Sequence, residues 1–99
     1  MVKVVFMCDV PKEKQEEFLK HSRNGTKPYW ESHGVLSYDV WQTEEGSPGF
    51  IKEMLINDTV TGAQELLKRG ITDPEAKALI ERWESFTEGL TRKIYELKT

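Results

Sequence analysis

The order in which apolar periodicity changes along this chain admits few folds. An apolar β-type run, Val2–Cys8, comes first and a helix-forming stretch follows. Two further β-type runs, Val35–Gln42 and Phe50–Ile56, are joined by a loop carrying Gly46-Ser47-Pro48-Gly49. A helical region and a last β-type run, Leu90–Leu97, close the chain. This β-α-β-β-α-β order is the split βαβ arrangement: an antiparallel four-stranded sheet with its helices on one face and its first and third strands in the centre. A chain of 99 residues holds one core and no second, so residues 1–99 are expected to form a single α+β, ferredoxin-like domain.

Local signals fill in this frame. Val2–Cys8 is β-branched or apolar on both faces, as in a central strand. Lys12–Arg23 has Glu13, Glu16 and Glu17 early and Lys20, His21 and Arg23 late, the charge order that suits a helix dipole. Asn24-Gly25 reads as its stop, which leaves Thr26–Gly34 as a connector. In the second strand Leu36, Tyr38 and Val40 point one way, and Val35, Ser37, Asp39 and Trp41 the other. In the third, Phe50, Met54 and Ile56 share a face with Lys52. Lys52, Glu53 and Arg92 are strand charges that read as cross-strand pairs. Asn57-Asp58-Thr59 offers a helix cap before Val60–Arg69, which Gly70 ends. A further helix is capped by Thr72 with Glu75, or by Asp73 with Pro74 in its first turn. It carries Ala76, Leu79, Ile80, Trp83 and Phe86 at the strongest helical period of the chain. Glu88-Gly89 breaks it, and the extra helix exceeds the minimal pattern.

The bulk numbers exclude several function classes. A net charge of -3 and interspersed Lys and Glu leave no basic stripe for nucleic acid. No apolar stretch approaches the roughly 20 residues of a membrane span, and no signal peptide is evident. One cysteine, Cys8, permits no internal disulfide, so a cytoplasmic location is expected. No glycine-rich phosphate loop is present, and His21 and His33 have no metal-ligand spacing, so neither a cofactor nor a metal is expected.

A four-stranded layer covered on one side leaves its other face wet. Neither register of the first strand is polar, and the second strand carries an aromatic in both. Such a face is most economically buried against a second copy, so a homodimer is expected.

The segment order, Asp9-Val10-Pro11 before a Glu/Lys-rich helix with Phe18, and Gly34-Val35-Leu36-Ser37-Tyr38 opening the second strand resemble the dimeric α/β-barrel superfamily. Within it the likeness is to the antibiotic-biosynthesis-monooxygenase-like group, over nearly the whole chain. The resemblance implies a homodimer with a cavity between sheet and helices in each subunit. It also implies kinship with cofactor-free oxygenases of aromatic substrates, with haem-degrading enzymes and with proteins of no known activity. The haem-degrading branch uses an Asn on its first strand and a Trp and a His in its helical region. Here the first strand has no Asn and no His follows Trp83.

Candidate site residues follow from chemistry and place. Asp39 on a face with Trp41 would have a raised pKa and could move a proton. His33 lies beside Tyr29 and Trp30. Asp39 and His33 are therefore the candidate catalytic pair, and Trp30, Tyr38, Trp41 and Trp83 the candidate ligand contacts. Two readings stay open: a cofactor-independent monooxygenase-like protein for a small aromatic or polyketide-like molecule, or a non-catalytic homodimeric module. An open, polar-tipped cavity favours the first, and one packed solid by Trp83, Phe86 and Leu79 the second.

Overall fold

A computed structural model, describing residues 1–99, places four strands in one antiparallel sheet of order β2-β3-β1-β4. The strands are β1 (Val2–Asp9), β2 (Ser37–Gln42), β3 (Gly49–Ile56) and β4 (Glu88–Glu96). The helices α1 (Gln15–His21), α2 (Lys27–Ser32), α3 (Val60–Leu67), α4 (Arg69–Thr72) and α5 (Pro74–Ser85) complete the α+β, ferredoxin-like architecture that the segment order implied. The molecule is 20 Å thick in its shortest dimension, the depth of one sheet and one helical layer.

The helix-facing side of the sheet is read directly from the period-2 pattern. On β3, Phe50, Lys52, Met54 and Ile56 are all buried, while the residues between them are half-exposed. Register with β1 sets Val4 opposite Met54 and Phe6 opposite Lys52. Two core clusters result. One gathers Val2, Val4, Trp30, Tyr38, Met54 and Ile56, and the other packs Cys8, Val10, Phe18, Phe50, Trp83 and Phe86. Phe18 meets Phe50 edge-on at 5.1 Å and Trp83 at 5.2 Å, so the weak apolar face of α1 is carried by one fully buried ring. Burying such a ring contributes roughly 1.5–3 kcal/mol.

Helix ends depend on the caps anticipated. The Thr59 hydroxyl accepts from the Gly62 backbone N–H at 3.0 Å, and Asp73 accepts from Glu75 at 3.0 Å with Pro74 in the first turn. Between the two capping choices at this helix, the Asp73 one is realised.

Four local expectations are corrected. Asn24-Gly25 does not stop the first helix: Ser22–Thr26 forms a π-helical turn, and the chain runs on into α2. Thr26–Ser32 is therefore helical rather than a connector, because buried Ser22 and Thr26 side chains fix this turn (see below) and Pro28 sits where a helix's first turn tolerates it. β2 begins at Ser37, after Gly34 at φ 107° has redirected the chain. Val35 is consequently buried and Leu36 exposed, the reverse of simple alternation. Gly70 lies inside α4 rather than ending α3, and Glu88-Gly89 already belongs to β4.

Candidate functional site

The β3 alternation that buries Phe50 and Met54 also drives Lys52 under the helices, where it is 5% exposed. Its Nζ stands 4.0 Å from the ring centre of Phe6 and 4.2 Å from that of Trp83, with the Tyr38 ring at 5.3 Å. It forms none of the seven ion pairs and donates none of the side-chain hydrogen bonds of the chain, and since no fully buried polar atom lacks a partner, its Nζ keeps contact with the solvent of the cavity. The expectation of a cross-strand pair for Lys52 is thus overturned: no carboxylate oxygen lies within 4.0 Å of its Nζ. Glu53, one residue on, points the other way and does pair diagonally, with Lys3 at 3.4 Å.

Lys52 lines a cavity of about 240 Å³ between the sheet and the helical layer. Phe6, Trp30, Met54, Trp83 and Leu90 supply apolar walls, and Thr26, Glu84 and Arg92 supply polar ones. The exposed Glu84 and Arg92, with Ile71 of α4 at 81% exposure, connect it to solvent. The cavity is therefore open and polar-tipped, and Trp83 and Phe86 do not fill it. Burial pushes the Lys52 ammonium down to about 7, against the opposing pull of Glu84 and Cys8. The faces of Phe6 and Trp83 also favour the cation, so the amine is balanced between its charged and neutral forms.

The π-helical turn builds one wall. Its Ser22 hydroxyl donates to the Phe18 carbonyl at 2.8 Å and accepts from the Trp83 indole N–H at 2.9 Å. The Thr26 hydroxyl shares a hydrogen bond of 2.7 Å with the Tyr38 phenol. Burial raises that phenol far above its ordinary value. Four residues apart, the two hydroxyls share one face of the turn, and π-helical turns recur at functional sites.

A second polar cluster ties α4 to α2. The Tyr29 phenol donates to Asp73 and accepts from Arg69 Nε at 3.2 Å. The Tyr29 bond holds the Asp73 carboxyl below its usual range, while burial raises Tyr29. This latch holds the α3–α4–α5 segment over the cavity.

Three of the six candidate residues gather here. Trp30 and Trp83 line the cavity, and the Tyr38 ring flanks Lys52. The other three lie elsewhere. Asp39 is exposed on the β2 edge, 3.9 Å from Lys27. His33 terminates α2, with its Nδ1 2.7 Å from the Tyr29 carbonyl. Trp41 is 59% exposed on the opposite, uncovered face. Lys52 was missed as a site residue, although its phase with Phe50, Met54 and Ile56 was visible in the sequence. Cys8 is buried and its thiol is pushed up to about 11 by burial, which disfavours the reactive thiolate. No three His, Cys, Asp or Glu side chains converge as metal ligands.

The uncovered face differs sharply. Val5, Met7, Ile51, Leu55, Tyr95 and Leu97 border a concavity of about 550 Å³, and Met7, Tyr95 and Leu97 are 49%, 50% and 65% exposed. No element of the chain overhangs it. No helix is long and apolar enough to cross a membrane.

No protein-family model matches the sequence, and no curated protein matches it. Solved structures do. An antibiotic biosynthesis monooxygenase superimposes with a TM-score of 0.76 over 100% of both chains at 14% identity. An uncharacterised NIPSNAP domain protein from Burkholderia xenovorans gives 0.76 at 15% identity, over 99% of this chain and 95% of that one. A mutant of SnoaB, a cofactor-independent oxygenase from Streptomyces nogalater, gives 0.72 at 9% identity over 99% and 93%. The chain therefore shares the fold of these proteins, the one that the sequence resemblance implied. At these identities the likeness establishes the architecture, which proteins with and without an assigned activity share.

Proposed function

We propose that the protein binds a small hydroxylated aromatic or polyketide-like molecule in the sheet–helix cavity and oxidises it with molecular oxygen, without a cofactor. The observation that carries this reading is the unpaired Lys52 amine among aromatic walls in an open cavity. A volume of about 240 Å³ suits a compact ligand of roughly two fused rings. Trp30, Tyr38 and Trp83 supply planar contacts, and Lys52 is the group that meets the ligand's hydroxyl. Its neutral amine accepts the hydroxyl proton, and the resulting ammonium holds the arenolate oxygen by a charge-assisted hydrogen bond. The electron-rich ring then adds oxygen at carbon, and loss of water from the hydroperoxide leaves a quinone-type carbonyl. One hydroxyarene and one O₂ give one quinone and one water. Asp39 and His33, outside the cavity, take no part in that sequence.

The working unit is a homodimer, its second copy covering the face that bears Met7, Trp41, Tyr95 and Leu97. The competing reading, a non-catalytic binding module, draws on the absence of any convergent acid–base, metal or phosphate motif.

Binding of 2-naphthol, followed by tryptophan fluorescence, and oxygen uptake with 1,4-dihydroxynaphthalene separate these readings. The expected result is saturable binding and catalysed uptake, both lost in Lys52→Met and retained in Asp39→Asn and His33→Ala. Binding without uptake beyond autoxidation would leave the module reading. Absence of binding would remove the cavity as the site.

A further inference from the structure

We propose that the Lys52 amine forms an imine with an aromatic aldehyde or ketone admitted to the sheet–helix cavity, so that the site captures carbonyl compounds covalently. This rests on reading the cavity as an aromatic-ligand site and adds a reaction to it. Three observations converge. The Nζ lies between the faces of Phe6 and Trp83 at 4.0 and 4.2 Å, so a planar substituent on nitrogen would extend along aromatic walls. It takes part in none of the seven ion pairs, so no carboxylate must first be displaced from it. The cavity beside it is open through exposed residues of α5, β4 and α4.

A desolvated lysine in an apolar pocket is the usual setting for an amine nucleophile. With its proton affinity reduced to about 7, far more of the Lys52 amine is free at neutral pH than for an ordinary lysine. The charged or titratable groups around it are Glu84 on α5, Arg92 on β4, Cys8 on β1 and Tyr38 on β2. Of these, Glu84 at the cavity wall can take the proton that the nitrogen gives up on adding to the carbonyl and return it to the departing hydroxyl. The amine adds to the carbonyl carbon to give a carbinolamine. Loss of that hydroxyl as water then leaves the carbon–nitrogen double bond. No oxidant or reductant is consumed, and water reverses the step.

Brief incubation of the full chain with benzaldehyde and sodium cyanoborohydride at neutral pH, followed by peptide mapping, tests this. The expected result is one benzyl group on Lys52, gained at least about tenfold faster than on any exposed lysine. Excess 2-naphthol should suppress that adduct and leave surface labelling unchanged. Even labelling of exposed lysines with Lys52 unmodified would overturn the proposal. If 2-naphthol still bound in that case, the aromatic-ligand reading would survive alone. If it did not, both would fall.

Discussion

Lys52 and Glu53 are neighbours on one strand, yet they meet opposite worlds. Glu53 faces the uncovered side and shares a half-exposed ion pair with Lys3. Lys52 faces the helices and has only rings for company. The period of two on β3 makes this difference. On the wet face, water screens the charges and their pairing contributes little. On the covered face burial disfavours the charged form by more than the pull of Glu84 and Cys8 returns, so its proton affinity falls. One layer of helix thus separates a half-exposed, paired strand charge from one set among aromatic rings.

Four changes would break or sharpen that contrast, given from largest effect to smallest. Trp83→Ala removes the cavity's back wall, the Phe18 contact and the partner of Ser22, and should cost about 3–5 kcal/mol in urea unfolding. A loss below about 1 kcal/mol would mean that this face is not closed by Trp83.

Lys52→Met should stabilise the protein by about 2–4 kcal/mol in mildly acidic solution, because an unpartnered buried ammonium is replaced by an apolar chain of similar length. Lys52 titrates near 7 folded and 10.5 unfolded. Its penalty is therefore fully present below about 7, where both states are protonated. Between about 7 and 10.5 the unfolded state binds more protons, so stability rises with pH and the penalty is relieved. Unfolding measured across this window should show that rise in the native chain and not in Lys52→Met. Parallel curves would break the comparison.

On the other face, Met7→Lys should weaken self-association about 10–100-fold by placing a charge in the apolar centre of the interface, as read by sedimentation equilibrium. A native chain that stays monomeric at high concentration would instead leave the face uncovered. The smallest effect belongs to Lys3→Ala, expected to change stability by less than about 1 kcal/mol, since this pair is screened by water.

The sheet was legible because strand alternation and segment order agree: Tyr38, Phe50, Met54 and Ile56 fall inside as their phase requires. Of the helical period Ala76, Leu79, Ile80, Trp83 and Phe86, the first and the last two are buried, and Leu79 and Ile80 are half-buried. The helix boundary at Asn24-Gly25 was not legible, since the signals that usually end a helix are absorbed by a π-helical turn whose hydroxyls are tied to Trp83 and Tyr38. These are contacts with residues 61 and 12 positions away, beyond any local pattern. The site was partly legible. Aromatic residues pointed to the cavity, whereas Asp39, expected on a covered face with Trp41, is exposed at the β2 edge, and His33, expected in a connector, ends α2. Lys52 carried the right phase but the wrong chemistry for a core position, and the chain's free choice of partners for a strand charge concealed it. A charged residue in phase with a buried apolar face is the signal to weigh more heavily.

The account stands most directly on the titration of one group. Observed by NMR through its Cε and Nζ nuclei, Lys52 should change protonation state with a midpoint near 7 in the folded protein. A midpoint near the ordinary 10.5 would show a hydrated, conventional lysine and would contradict the assignment of this cavity as a reactive site.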